Sequence, residues 1–220
     1  PTTKGFDFWH CNSAGVYSGI VANGNGDCSD TTNINTTFLR GLINTNDEGV
    51  AQFTTIFPSH YTSRATHIHV LATMNATILP NNTLSGGSIS HVGQLFSDQS
   101  LISEVELNEP YASNTQELTT NVDDTIMSGE AASMDPVFEY VLLGDEVSEG
   151  VLAWISIGID ASASYDVSPA ASWTENGGVS DSNSGGIGGG MGGGAGHSAA
   201  FPSGAAPSGA SPSLFGTLMP

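Results

Sequence analysis

The stretch His60-Tyr-Thr-Ser-Arg-Ala-Thr-His-Ile-His-Val carries the densest potential chemistry in the chain. Side chains two apart on a β-strand leave the same face, so His67 and His69 project together while Ile68 points into the opposite layer. Paired imidazoles on a rigid strand are a common way to hold a metal ion. For an isolated His-x-His the plainer reading, two surface or core histidines, is the better one. Its neighbours weigh against that here. Tyr61 precedes the pair, and so does Arg64, one of only three cations in the chain. A cation beside neutral imidazoles is unfavourable unless an anion belongs there too.

The residue types narrow the metal. A cupin site adds a following Glu and a Gly-rich lead-in, but Tyr61 stands in the lead-in and no Glu occurs between His69 and Glu104. A zinc hydrolase needs a helical His pair with a nearby Glu, which is also missing. Phenols are then the nearest oxygen donors. Phenolate suits a hard, highly charged ion such as Fe(III), which lowers a phenol's pKa far below its ordinary value of about 10. Trp9-His-Cys-Asn-Ser-Ala-Gly-Val-Tyr-Ser-Gly supplies a second phenol, Tyr17. Taken alone, Tyr17 and Tyr61 read equally as sandwich tyrosines, Arg64 as a surface cation and Gln94 as an outward strand residue.

Several pieces occur together in one order: Phe8-Trp-His-Cys-Asn-Ser-Ala-Gly-Val-Tyr-Ser-Gly, Phe38-Leu-Arg-Gly, Phe53-Thr-Thr-Ile-Phe-Pro with Tyr61, Arg64-Ala-Thr-His-Ile-His, and Gly93-Gln-Leu-Phe. This ordered set resembles the intradiol ring-cleavage dioxygenases of the catechol/protocatechuate type, particularly their fungal extracellular branch. The resemblance implies a non-haem Fe(III) cofactor held by Tyr17, Tyr61, His67 and His69, with Tyr61 the ligand that leaves when substrate binds. It implies that Arg64 steadies negative charge on the substrate and that Gln94 lines the same pocket. Two tyrosinates and two neutral imidazoles would leave an Fe(III) site of charge about +1, which a catecholate can approach. The implied reaction inserts both atoms of O₂ into a catechol-type ring to give a cis,cis-muconate-type diacid. The alternative left open is a secreted, wall-associated β-sandwich binding module without catalysis.

Composition sets the frame around these residues. The chain has 220 residues, 22 of them acidic and three basic, for a net charge of −19. Such a balance argues against nucleic acid and against anionic lipid, both of which need basic partners. No apolar run approaches the roughly 18 residues that span a bilayer. Sequons at Asn35, Asn75 and Asn81 are expected to be glycosylated if the chain is secreted. The expected location is therefore extracellular, with a small-molecule catechol and O₂ as partners.

Strands dominate the pattern. Phe6–His10, Val50–Phe57, Ala65–Leu71, Ile89–Phe96 and Val151–Ile159 are rich in β-branched and aromatic residues. Turn-forming runs separate them: Asn23-Gly-Asn-Gly-Asp, Asn46-Asp-Glu-Gly and Ser85-Gly-Gly-Ser. One short helix is expected from about Ser97, as its cap, to Leu107. The expected fold is an all-β sandwich over residues 1–172 with long loops, above all across 108–145, followed by a disordered Gly/Ser/Ala/Pro-rich tail over 173–220. His10, His60 and His91 read as structural or surface residues, Trp9 and Trp154 as core, and His197 as part of the tail. The chain opens at Pro1 without Met. The resemblance implies earlier strands and a signal peptide, so an N-terminally truncated fragment is expected. Cys11's usual partner would lie in that missing region, leaving a Cys11–Cys28 bridge as the second-best pairing.

Overall fold

The computed structural model describes residues 4–180 apart from Asn81 and Glu175. The sequon at Asn81, His197 and the tail expected beyond residue 180 lie outside the described residues. In chain order the strands are β1 (Lys4–Trp9), β2 (Arg40–Asn44), β3 (His67–Met74), β4 (Thr77–Ile78), β5 (Leu84–Ser85), β6 (Ser88–Phe96), β7 (Glu139–Leu142), β8 (Val151–Trp154), β9 (Ala171–Thr174) and β10 (Gly177–Ser180). Two short helices, α1 (Gln99–Val105) and α2 (Thr125–Glu130), complete the regular elements together with single 3₁₀ turns. The fold is all-β.

One antiparallel sheet, ordered β2-β1-β3-β6, forms its centre, and three two-stranded ribbons surround it. All eight residues of β3 are buried. That follows from its place between two partners, because a strand covered on both faces must be apolar or fully bonded throughout. Trp9 lies opposite His69 on β1, and Gln94 lies opposite His69 on β6. Arg40 in turn lies opposite Trp9 on β2. Period-two alternation thus gathers Trp9, Arg40, His67, His69 and Gln94 on one face. The other face is greasy. Ile68, Val70 and Leu95 are packed there against Phe6, Phe8, Phe138, Ile155 and Ile157. The last three come from segments flanking β7 and β8 and form the second layer.

Several expectations are corrected. Residues 50–57 are not a strand. Phe53 lies flat on Phe8, with ring centroids 4.5 Å apart, and a Cβ at Gly41 would meet its ring at 2.8 Å. The aromatic alternation there reports extended chain laid over the sheet face rather than chain paired within it. The cap of α1 is Asp98, whose side chain accepts from Ser100 N, and not Ser97. The segment 108–145, read as loop, contains α2 and β7. Trp154 is 46% exposed on the outer face of the β7–β8 ribbon with Val141 and Leu152, so it is not core; Trp9 is. Cys11 and Cys28 are not bridged: Cys11 is buried and donates to the Ser59 carbonyl, while Cys28 is exposed on a loop.

Leu71, 1% exposed, anchors the core cluster around Trp9, Tyr17 and Tyr61, whereas Leu143 is 65% exposed. Leu71→Ala is expected to lower unfolding free energy by about 2–5 kcal/mol, and Leu143→Ala by no more than about 0.5 kcal/mol. Urea unfolding of the two variants checks this. Equal losses would contradict the placement of Leu71.

Candidate metal centre

Three separate devices bring the candidate donors together. The first is β3 itself, which turns His67 and His69 toward one point. Their Nε2 atoms are 3.2 Å apart. His67 Nδ1 lies 2.6 Å from the Ala65 carbonyl, so it carries the proton and donates. Nε2 then presents its lone pair. The second device is the turn of 12–16. Asn12 N donates to Val16 O, and Asn12 Oδ1 accepts from Ala14 N and Val16 N. Gly15, at φ +76°, lies so close to the His60 carbonyl that an added Cβ would sit 2.2 Å from that oxygen. Only glycine fits there.

This turn delivers Tyr17, whose main chain is held on both sides by amides. Tyr17 N donates to Asn25 Oδ1 at 2.7 Å, and Tyr17 O accepts from Asn25 Nδ2 and Asn33 Nδ2, both at 2.9 Å. Its phenol oxygen reaches 3.1 Å from His67 Nε2. The third device is the turn Tyr61-Thr-Ser-Arg64, closed by Arg64 N donating to Tyr61 O, with Ser63 at φ +72°. It sets Tyr61 and Arg64 side by side. The Tyr61 ring stands 5.6 Å, centroid to centroid, from both Tyr17 and His67. Arg64 Nη1 points at Tyr61 Oη at 3.5 Å, and Nη2 donates to Gln94 Oε1. Trp9 covers the far side, its indole stacked on His69 at 4.9 Å and 5°.

The four expected donors, Arg64 and Gln94 therefore meet in one place. Tyr17, His67 and His69 are each no more than 3% exposed. Burial, reinforced by the Arg64 charge, holds His67 neutral down to about 3, and burial, again with the Arg64 charge, keeps His69 well below its usual range. Burial pushes the Tyr61 phenol up to about 12 against the opposing pull of Arg64, and burial pushes Tyr17 well above 10. Without a cation the pocket holds two neutral imidazoles and two protonated phenols. Among the described residues no three His, Cys, Asp or Glu side chains form a metal-binding group; an ion taken up by the two imidazoles would meet the phenols of Tyr17 and Tyr61 as neighbouring oxygen donors. The geometry fits one. Two donors that share an ion at about 2.0–2.1 Å sit about 3 Å apart, the spacing of His67 Nε2 from Tyr17 Oη on one side and from His69 Nε2 on the other.

The residues that position this centre include several with no obvious sequence signal. Asp124, 1% exposed at its side chain, pairs with Arg64 Nε at 2.9 Å. Burial alone would raise its pKa, but the Arg64 charge and backbone N–H groups outweigh that and hold the carboxylate below its usual range. Arg40 donates to Ser18 Oγ through Nε and to Ser18 O through Nη2 and so braces the residue after Tyr17. His10, His60 and His91 stand outside the donor set. His10 bonds Thr55, and His60 lies between Glu106 Oε1 at 2.8 Å and the Gln116 carbonyl at 3.0 Å.

No protein-family model matches this sequence, and no curated protein is significantly similar to it. Solved structures are. An intradiol ring-cleavage dioxygenase from Tetranychus urticae superposes with a TM-score of 0.59 at 21% identity, over 76% of this chain and 75% of its own. A second solved dioxygenase gives 0.58 at 22% identity, over 76% and 75%. The chain shares the fold of these two structures.

Two outcomes test these supports. Asn25→Ala strips the Tyr17 main chain of a donor and an acceptor at a 3%-exposed site, and is expected to lower stability by about 2–3 kcal/mol in urea unfolding. A neutral effect would contradict the clamp. Burial lowers the His60 pKa, but the Glu106 hydrogen bond, the Gln116 carbonyl and the Glu106 charge together raise it above its usual value. A raised histidine stabilises fully below its unfolded pKa, and that stability is lost as pH climbs through the folded value. The stability gap between the natural chain and Glu106→Gln should therefore be wide near pH 5.5 and narrow toward about pH 9. Thermal melts at the two pH values check the sign.

Proposed function

We propose that this chain is an extracellular, non-haem Fe(III) intradiol dioxygenase of the fungal secreted type, opening catechol-type rings to cis,cis-muconate-type diacids. One observation carries the reading: two phenols and two neutral imidazoles converge beside an arginine, with no carboxylate among the donors. That donor set suits a trivalent ion better than zinc or magnesium. The fold likeness to two dioxygenases supports it at the level of architecture. Asn35 and Asn75, both exposed sequon residues, support secretion.

Tyr17, Tyr61, His67 and His69 would hold the iron. Fe(III), when bound, supplies the Lewis acidity that keeps catechol as its dianion and makes the ring reactive toward O₂. The chain does the rest. Burial of Tyr17, His67 and His69 keeps the pocket dry, which strengthens each charge interaction inside it. Held as a tyrosinate, Tyr61 Oη, beside Arg64 Nη1, would be the base within reach of a catechol proton. The Arg64 guanidinium then lies where it can hold the substrate's oxyanion, and Gln94 fixes the orientation of that guanidinium.

This chain loaded with Fe(III) is expected to consume O₂ with catechol and release a ring-opened diacid. His69→Ala should abolish uptake, and Tyr17→Phe should lower it at least about a hundredfold, on the scale of losing one preorganised catalytic group. Oxygen-electrode traces decide. Uptake that persists in His69→Ala would contradict the proposed site.

A further inference from the structure

The charge on Arg64 is useful only if the guanidinium is held still. An arginine carries about 2 kcal/mol of rotamer entropy, and this one is 18% exposed at its side chain, so packing alone does not lock it. Its Nε is fixed by Asp124 Oδ2 at 2.9 Å, and the two remaining nitrogens are then turned to Tyr61 Oη and Gln94 Oε1. Asp124 is itself immobile. Oδ1 accepts from Ile126 N at 2.8 Å and Met127 N at 2.9 Å as the cap of α2, and Oδ2 also accepts from Ala65 N at 2.8 Å. The Ala65 carbonyl is the acceptor that orients His67. At the other end of α2, Glu130 Oε1 accepts from Gln94 N at 3.1 Å. The helix thus straps the open edge of β6 to the Tyr61–Arg64 turn, with one acidic residue gripping each side.

We propose that Asp124 is the positioning residue that aims the Arg64 guanidinium across the site. The inference rests on the dioxygenase reading for its kinetic consequence and on the geometry alone for the aiming itself. Asp124 touches no substrate; it acts through Arg64. Removal of the carboxylate frees the guanidinium to turn toward solvent, a loss to catalysis that comes on top of the stability lost with the α2 cap and the Ala65 N–H bond.

Two readouts on the full chain test this separately. In the iron-free protein, the Arg64 Nε–H proton resonance should be protected from solvent exchange and should lose that protection in Asp124→Asn. Asp124→Ser, which keeps a helix cap but no carboxylate, should lose it too and serves if Asp124→Asn does not fold. Protection that survives both changes overturns the proposal. In the iron-loaded protein, Asp124→Asn should lower kcat/KM for catechol about tenfold to a hundredfold, the usual scale for a partner that orients a site residue. It should add no further loss in an Arg64→Met background. An equal fold-loss in both backgrounds would mean that Asp124 acts through the fold at large, and overturns it. If no variant and not the natural chain consumes O₂ with catechol, while protection is lost as expected, the dioxygenase reading fails and the aiming role stands.

Discussion

The register of β3 between β1 and β6 is the constraint from which the rest follows. Strand side chains alternate with a period of two, so a slip of one residue would send His67 and His69 into the layer of Phe6, Phe8 and Phe138 and bring Ile68 and Val70 under the tyrosines. Buried imidazoles in a greasy layer would be strongly unfavourable. The apolar set on one face therefore enforces the polar set on the other. With pairing on both edges, β3 holds two ring nitrogens 3.2 Å apart, a spacing a loop would not keep without help.

Charge is distributed with the same economy. A chain of net charge −19 has three cations, and two of them, Arg40 and Arg64, stand within this centre's supports. Arg40 braces the Tyr17 loop through Ser18, while Arg64 points at the Tyr61 oxygen. The buried carboxylate of Asp124 is taken up by Arg64 and by backbone N–H groups.

The parts legible in the sequence were those with a short-range physical signal. Strand periodicity alone places His67 and His69 on one face, and β-branched runs mark β3, β6 and β8. Tyr17 is different: fifty residues separate it from His67, and only the ordered resemblance, not spacing, links the two. Residues 50–57 mislead because extended chain laid on a sheet has the same half-buried alternation as chain within one. Helix α2 is hidden because it is one and a half turns long and contains Gly129. Its one local signal is Asp124 ahead of Thr-Ile-Met-Ser, an N-cap pattern too common to single out. Asn25 and Asn33 reach back across loops to the Tyr17 backbone, and Asp124 reaches Ala65 N far along the chain, bonds that leave no periodic trace.

The visible absorption spectrum of the full chain after Fe(III) loading tests the centre most directly, because phenolate bound to Fe(III) absorbs visible light and neither imidazole nor free phenol does. The account predicts a red to purple protein with about one iron per chain, whose band shifts when catechol is added without oxygen. A folded protein that stays colourless and retains no iron would contradict it.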